Sequence, residues 1–265
     1  MLKRIIRKLA ITAAALAAAG GLSLAVAGAA GASTITTTGT AGYQVSGAQF
    51  RYFQTTVYAR SVAQYDATMG AGFGHGITLT SGVYTLSLGI SVYQGDVSAS
   101  PWDAAFDVTK TADGSQVGGC LAGNPSGTGG VTCNTSVTGE PGAFAPGNVT
   151  LSIFYNTSNG VVSFSATQGT NSLHGTFTAG TGISFRQADA GTTLADPSTV
   201  TRPSSAQLMG RFTGTRLTNY KGNHFTLTGP WLTQKVQATT AGSVKLLTPS
   251  ALSDGGADFS TYLQP

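Results

Sequence analysis

Acid–base chemistry needs carboxyl groups, and this chain of 265 residues carries only 10 acidic residues. Glu140 is the single glutamate, and it lies in Thr138-Gly139-Glu140-Pro141-Gly142, a turn composition rather than a strand face. Asp96, Asp103 and Asp107 are close in sequence. Cleaving a glycosidic bond ordinarily takes two carboxyls across a cleft, about 5–10 Å apart. Asp103 and Asp107 are four positions apart, so on a strand they share a face at about 13 Å. That is too far for such a pair, and these aspartates read as solvated charges on loops and an edge strand.

Nucleophilic and metal chemistry have as little support. Histidine occurs at His75, His174 and His224. No Gly-x-Ser-x-Gly precedes a helical pattern, which the strand-to-helix nucleophile turn requires. His174 alternates with Leu173 and Phe177, so it belongs to the opposite, surface face. There is no His-x-His and no His-Glu-x-x-His. Asp254-Gly255-Gly256-Ala257-Asp258 has the oxygen ligands calcium takes, yet reads better as a glycine-rich turn. Gly70-Ala71-Gly72-Phe73-Gly74-His75 lacks the Lys-Ser/Thr of a phosphate loop. The sequons at Asn134, Asn148 and Asn156 mark exposed positions. No catalytic residue, metal ligand or cofactor is assigned.

Aromatic and sulfur side chains remain. Trp102 in Ser-Pro-Trp-Asp and Trp231 in Gly-Pro-Trp-Leu each follow a proline at a loop or strand start. Rings at loop tips can stack on sugars; the competing reading, which we favour, is packing at an open end of the core. Tyr43, Phe50, Tyr52, Phe53 and Tyr58 crowd one region and read as core. Cys120 and Cys133 are the only cysteines, with no Cys-x-x-Cys and no histidine nearby. In an exported chain they are expected to pair and close a loop of turn-forming residues.

The elements that would position these groups show a period of two. Tyr84, Leu86, Leu88, Ile90 and Val92 alternate with Thr85, Ser87, Gly89 and Ser91, as a half-buried strand requires. Segments 148–156 and 161–168 repeat the alternation around Asn159-Gly160, which reads as a tight hairpin with positive φ at both turn positions. Further strands are expected at 43–46, 50–60, 75–80, 104–111, 172–178, 182–188, 207–216 and 223–228. Residues 189–205 carry no periodicity and two prolines and read as a long surface loop. The fold class is all-β, an antiparallel two-sheet sandwich of the concanavalin-like jelly-roll type. Its domain spans 33–236, and 237–265 is an extension, packed or loose.

Residues 1–32 are expected to be a signal peptide. Lys3, Arg4, Arg7 and Lys8 precede an apolar run from Leu9 to Ala30 that ends in the cleavage pattern Ala30-Gly31-Ala32, with Ala25-Val26-Ala27 as a rival. Those four cations equal the whole formal net charge of +4. The exported chain is neutral and has no basic cluster, which argues against nucleic acid. No later stretch is long and apolar enough for a membrane helix. The product is expected outside the cell, with no membrane contact after leader cleavage; the residues do not give an oligomeric state.

Pro146-Gly-Asn-Val-Thr-Leu-Ser-Ile-Phe-Tyr-Asn-Thr-Ser-Asn-Gly160, followed by Ser163–Thr170 and Gly175–Thr178, resembles the central sheet of the glutamic peptidases, or eqolisins. Gly42–Phe50 is similar to their N-terminal strand, and Leu208-Met209-Gly210-Arg211-Phe212 falls where they carry Pro-Phe-Ala-x-Phe. The resemblance spans about residues 42–228 and implies a concanavalin-like double sheet. It does not imply the activity. The family's catalytic Gln would fall at Leu79-Thr80-Ser81-Gly82, and its catalytic Glu within Gly182-Ile183-Ser184-Phe185-Arg186-Gln187. Neither place holds the required residue, and Gln54, Gln94 and Gln187 are out of frame. The sequence therefore favours a secreted, non-catalytic sandwich that binds polysaccharide or a cell-wall surface. A divergent peptidase or glycan hydrolase, using Asp and Gln residues that meet only in space, is the alternative. A structural envelope or adhesion protein is a third reading.

Overall fold

The computed structural model describes residues 33–61, 71–93, 101–122, 124–136, 144–240 and 244–265. Residues 1–32, expected to be a signal peptide, lie outside the described residues, as do Gln94, Asp96 and Glu140. In chain order the strands are β1 (Thr34–Thr37), β2 (Thr40–Ala59), β3 (Gly72–Ser81), β4 (Tyr84–Tyr93), β5 (Asp103–Lys110), β6 (Gln116–Leu121), β7 (Asn124–Thr128) and β8 (Val131–Thr135). They continue as β9 (Gly147–Asn156), β10 (Val161–Gln168), β11 (Asn171–Thr178), β12 (Phe185–Leu194), β13 (Gln207–Asn219), β14 (His224–Phe225), β15 (Leu232–Thr239), β16 (Lys245–Pro249) and β17 (Phe259–Leu263).

These strands form two layers. One is ordered β6-β5-β4-β3-β12-β2-β15-β1, antiparallel except for the final β15–β1 pair. The other is ordered β8-β11-β10-β9-β2-β13-β17-β16. Strand β2 serves both: residues 40–46 pair in the first layer and 52–59 in the second. Gly47, at φ +91°, lies between the two stretches, in a backbone region that side-chain-bearing residues avoid. At one edge β15 pairs with β16 and joins the two layers, and at the other β6 pairs with β7.

The alternation explains the core. Leu86, Leu88, Ile90 and Val92 are fully or almost fully buried, as are Val149, Leu151 and Ile153 of the opposite layer. Phe106 of β5 and Phe164 of β10 stack across the interlayer space at 3.9 Å between ring centroids. Phe212 and Phe259 stack at 4.5 Å on neighbouring strands.

Several expectations need correction. The β9–β10 hairpin forms, but only Gly160 of the Asn159-Gly160 pair has positive φ. Its loop is four residues long because Asn156 and Asn159 use their side-chain oxygens to hold the backbone of Ser158 and Val161. Residues 189–205 are not all loop: β12 runs to Leu194. Its inward positions are Ala188, Ala190 and Thr192, too small and polar to display a hydrophobic period. The 237–265 segment contributes the end of β15, all of β16 and all of β17, paired into the sandwich. Tyr58 is 42% exposed, and Tyr52 shares its outward face, so the N-terminal aromatic group divides between core and surface.

Cys120 and Cys133 form a disulfide with 5.7 Å between Cα atoms. It ties β6 of one layer to β8 of the other, and the intervening segment is strand β7, not a floppy loop. Replacing both cysteines by serine is expected to lower unfolding free energy by about 2–3 kcal/mol, measured by denaturant titration under oxidising conditions. An unchanged midpoint would show that β7 pairing alone holds this margin.

Candidate active site

The face of the first layer that turns away from the core carries one continuous polar row. Strand pairing aligns Gly119, Asp107, Ser87, Thr78, Asp189, Gln44 and Gln234 across six ladders. Directly paired residues of an antiparallel ladder point to the same side. The row therefore follows from register, with no two of its members adjacent in sequence. Gln44, Thr78, Ser87, Asp107 and Asp189 are each 5% exposed or less.

Asp189 occupies the middle of the row. Gln44 Nε2 donates to its Oδ1 at 2.7 Å, and Gln187 Nε2 donates to its Oδ2 at 3.0 Å. Gln44 lies opposite on β2, and Gln187 lies two residues before Asp189 on the same face of β12. Burial is the dominant influence and pushes the Asp189 carboxyl up to about 6, against the opposing pull of the Gln187 and Gln44 amides. A carboxyl that titrates near 6 exchanges a proton readily at mildly acidic pH.

Beside the polar row runs a band almost without side chains. Ala105, Gly89, Gly76, Gly191 and Gly42 are aligned by the same pairings. Strand backbones approach closely here. A Cβ on Gly42 would come within 2.0 Å of the Ala190 carbonyl oxygen, and one on Gly191 within 2.4 Å of that of Ala41. At Gly42, Gly89 and Gly191 the backbone of the paired strand fills the place of the missing side chain. The polar row and the row on its other side (Thr109, Thr85, Thr80, Gln187, Ser46 and Leu232) contain no aromatic residue.

Asp107 stands three strands from Asp189, about 14 Å at usual strand spacing. It is not a solvated edge charge, because β5 is paired on both sides and Asp107 is 0% exposed. Asp103, also 5% exposed, shares its face. Gln116 Nε2 donates to Asp107 Oδ1 at 3.1 Å, while Oδ2 has no hydrogen-bond partner among the described residues. Burial pushes this carboxyl up to about 8, with the Gln116 hydrogen bond opposing.

Behind the sheet, on its core face, His75 makes a separate polar cluster. Its Nδ1 lies 2.8 Å from Thr192 Oγ1, which is 2.6 Å from Thr261 Oγ1. Burial lowers the imidazole to about 3, so it is neutral. Trp102 stacks on it with centroids 5.2 Å apart and donates from Nε1 to the Arg60 carbonyl at 2.9 Å. Trp102 is 0% exposed and offers no face to a sugar. Trp231 is half-buried, packed edge-on against Phe50 and Phe225, with Nε1 donating to the Leu227 carbonyl. The two tryptophans do not meet the polar row. Residues 254–258 form a turn in which Asp258 accepts from the Gly214 amide at 2.9 Å. Among the described residues no group of three or more His, Cys, Asp or Glu is placed to hold a metal ion.

Sequence reasoning missed Gln44 and Asp189. They are 145 residues apart, and Asp189 fell in the stretch read as loop. The available signal was the alternation Gln187-Ala188-Asp189-Ala190-Gly191, polar on one face and small on the other.

No family model matches the chain, and no curated protein matches it. Among solved structures, SCP-B, a member of the eqolisin family of peptidases in a complex with a tripeptide Ala-Ile-His, aligns with 84% of this chain and 97% of its own, at 14% identity and a TM-score of 0.49. That similarity transfers no residue role or activity to this chain.

Proposed function

We propose that this protein is an exported hydrolase of peptide bonds, with Asp189 as its acid–base group and Gln44 and Gln187 as its amide donors. The observation that carries the proposal is the buried Gln44–Asp189–Gln187 arrangement, with its carboxyl at about 6. The lack of aromatics in the polar row and in the row beside it fits a peptide better than a sugar. The basic leader and the Cys120–Cys133 bond support export.

The chemistry follows from the groups present. Ionised Asp189 takes a proton from a water whose oxygen bonds to the substrate carbonyl carbon. The carbonyl π pair moves onto oxygen, where the second N–H of Gln44 or Gln187 meets the developing charge. As the C=O re-forms, the C–N bond breaks and protonated Asp189 returns the proton to the leaving amine. The carboxylate is regenerated, and one water is consumed per bond.

Incubating the protein with a diverse peptide mixture from pH 3 to pH 8, then reading new termini by mass spectrometry, tests this. Cleavage is expected, with kcat/KM falling below about pH 6 as Asp189 becomes protonated. Absence of new termini at every pH would remove the proposal.

A second reading has one observation in its favour. On the outward face of the other layer, Tyr52 and Phe154 meet edge-on at 6.4 Å, with Phe154 37% exposed, among Thr and Ser hydroxyls. Such a surface suits stacking on a glycan. Retention on insoluble polysaccharide, cut several-fold by Tyr52→Ala with Phe154→Ala, would support it; no retention of the unaltered protein on any glycan would dismiss it.

A further inference from the structure

Two buried polar atoms of the row lack partners among the described residues, and both lie on the same side of Asp189. Asp107 Oδ2 and Thr78 Oγ1 are without a hydrogen bond, and both residues are 0% exposed. An unpaired buried carboxyl is costly in either protonation state. On the flanking strands Asp107 faces Ser87 of β4 and Gly119 of β6, whose amide donates to Thr128 Oγ1 at 3.1 Å. Gln116 satisfies only Oδ1, and Asp103 is the other carboxyl on the strand's face. No Lys or Arg occurs among the residues aligned in the polar row.

We infer that Asp107 is a binding subsite for a Lys or Arg side chain of the substrate, reached across Ser87 and Thr78 from a scissile bond held at Asp189. A cation supplies what Oδ2 lacks, a charged donor at hydrogen-bond distance, and it holds Asp107 ionised. The three strand spacings between Asp107 and Asp189, about 14 Å, match four residues of an extended peptide at about 3.3 Å each. Its main chain would cross β5, β4, β3 and β12 along the polar row, with the Ser87 and Thr78 hydroxyls beneath it. The inference rests on the peptidase reading for the position of the scissile bond, but not for the cation site itself.

The test uses two peptide series of constant sequence, with Lys or norleucine placed four residues to the amino or the carboxyl side of the cleaved bond. One series is expected to show kcat/KM at least tenfold higher for Lys than for norleucine. Asp107→Asn is expected to bring that ratio to within about twofold of one. The same Lys peptide should bind at least tenfold more tightly than its norleucine partner in fluorescence anisotropy, and lose that margin in Asp107→Asn. Cleavage without a Lys preference in either series overturns the subsite and leaves the peptidase intact. Lys-selective binding without cleavage keeps the subsite and removes the peptidase. Neither binding preference nor cleavage removes both.

Discussion

Asp189→Asn is expected to reduce kcat/KM for peptide cleavage by about 1,000-fold or more, with the circular dichroism spectrum unchanged. The asparagine keeps the shape of the carboxyl but cannot take the proton of the attacking water. General acid–base catalysis by one positioned group is worth about 100- to 10,000-fold. Among the described residues Asp189 is the carboxyl to which both Gln44 and Gln187 donate. Gln44→Ala removes one donor to the oxyanion and should cost about 100-fold, the usual scale for losing one such group. Retention of more than a tenth of the activity in Asp189→Asn would assign the chemistry elsewhere.

Asp107→Asn is expected to stabilise the fold at neutral pH. The carboxyl is raised from 3.8 to about 8 in the folded chain. Below about 3.8 it is protonated whether the chain is folded or not, and its contribution is fully present. As pH rises towards about 8 the unfolded chain gives up the proton and the folded chain keeps it, so stability is lost across that window. Asparagine has no proton to lose. The variant should exceed the unaltered protein by about 2–4 kcal/mol at pH 8, allowing for relaxation around the charge, and by little at pH 4. Asp189 acts in the same direction between 3.8 and about 6. His75 acts oppositely: its folded value of about 3 lies below the ordinary 6.5, so its contribution is present above 6.5 and lost as pH falls towards 3. A difference between Asp107→Asn and the unaltered protein that does not vary with pH would contradict this account.

The layers were legible because their inward residues are large. Leu86 to Val92 and Val149 to Ile153 display the period of two directly, and β4, β9 and β10 follow from it. Strand β12 was cut short because its inward positions from Ala188 onward are small or polar, and the hydrophobic signal fades where the carboxyl of interest begins. The reading of Asp103 and Asp107 as solvated failed for a different reason. Burial of β5 comes from pairing with β4 and β6, which local composition does not reveal. The cysteines were readable from their count and the expected export. The polar row was not: it arises where seven strands present one residue each, and its order depends on registers that only the folded sheet defines.

Tryptophan was a poor guide to the site for a related reason. Trp102 follows a proline as a loop residue would, yet it closes over His75 in the core, where its N–H finds the Arg60 carbonyl. A large ring with one polar atom is buried at little cost once that atom has a partner.

Titration of the Asp189 carboxyl carbon by NMR tests the central claim most directly. The account predicts a midpoint near 6, moved higher by Gln44→Ala because a donor to the carboxylate is lost. A midpoint at or below the ordinary 3.8 in the unaltered protein would show an exposed, unremarkable carboxylate and contradict it.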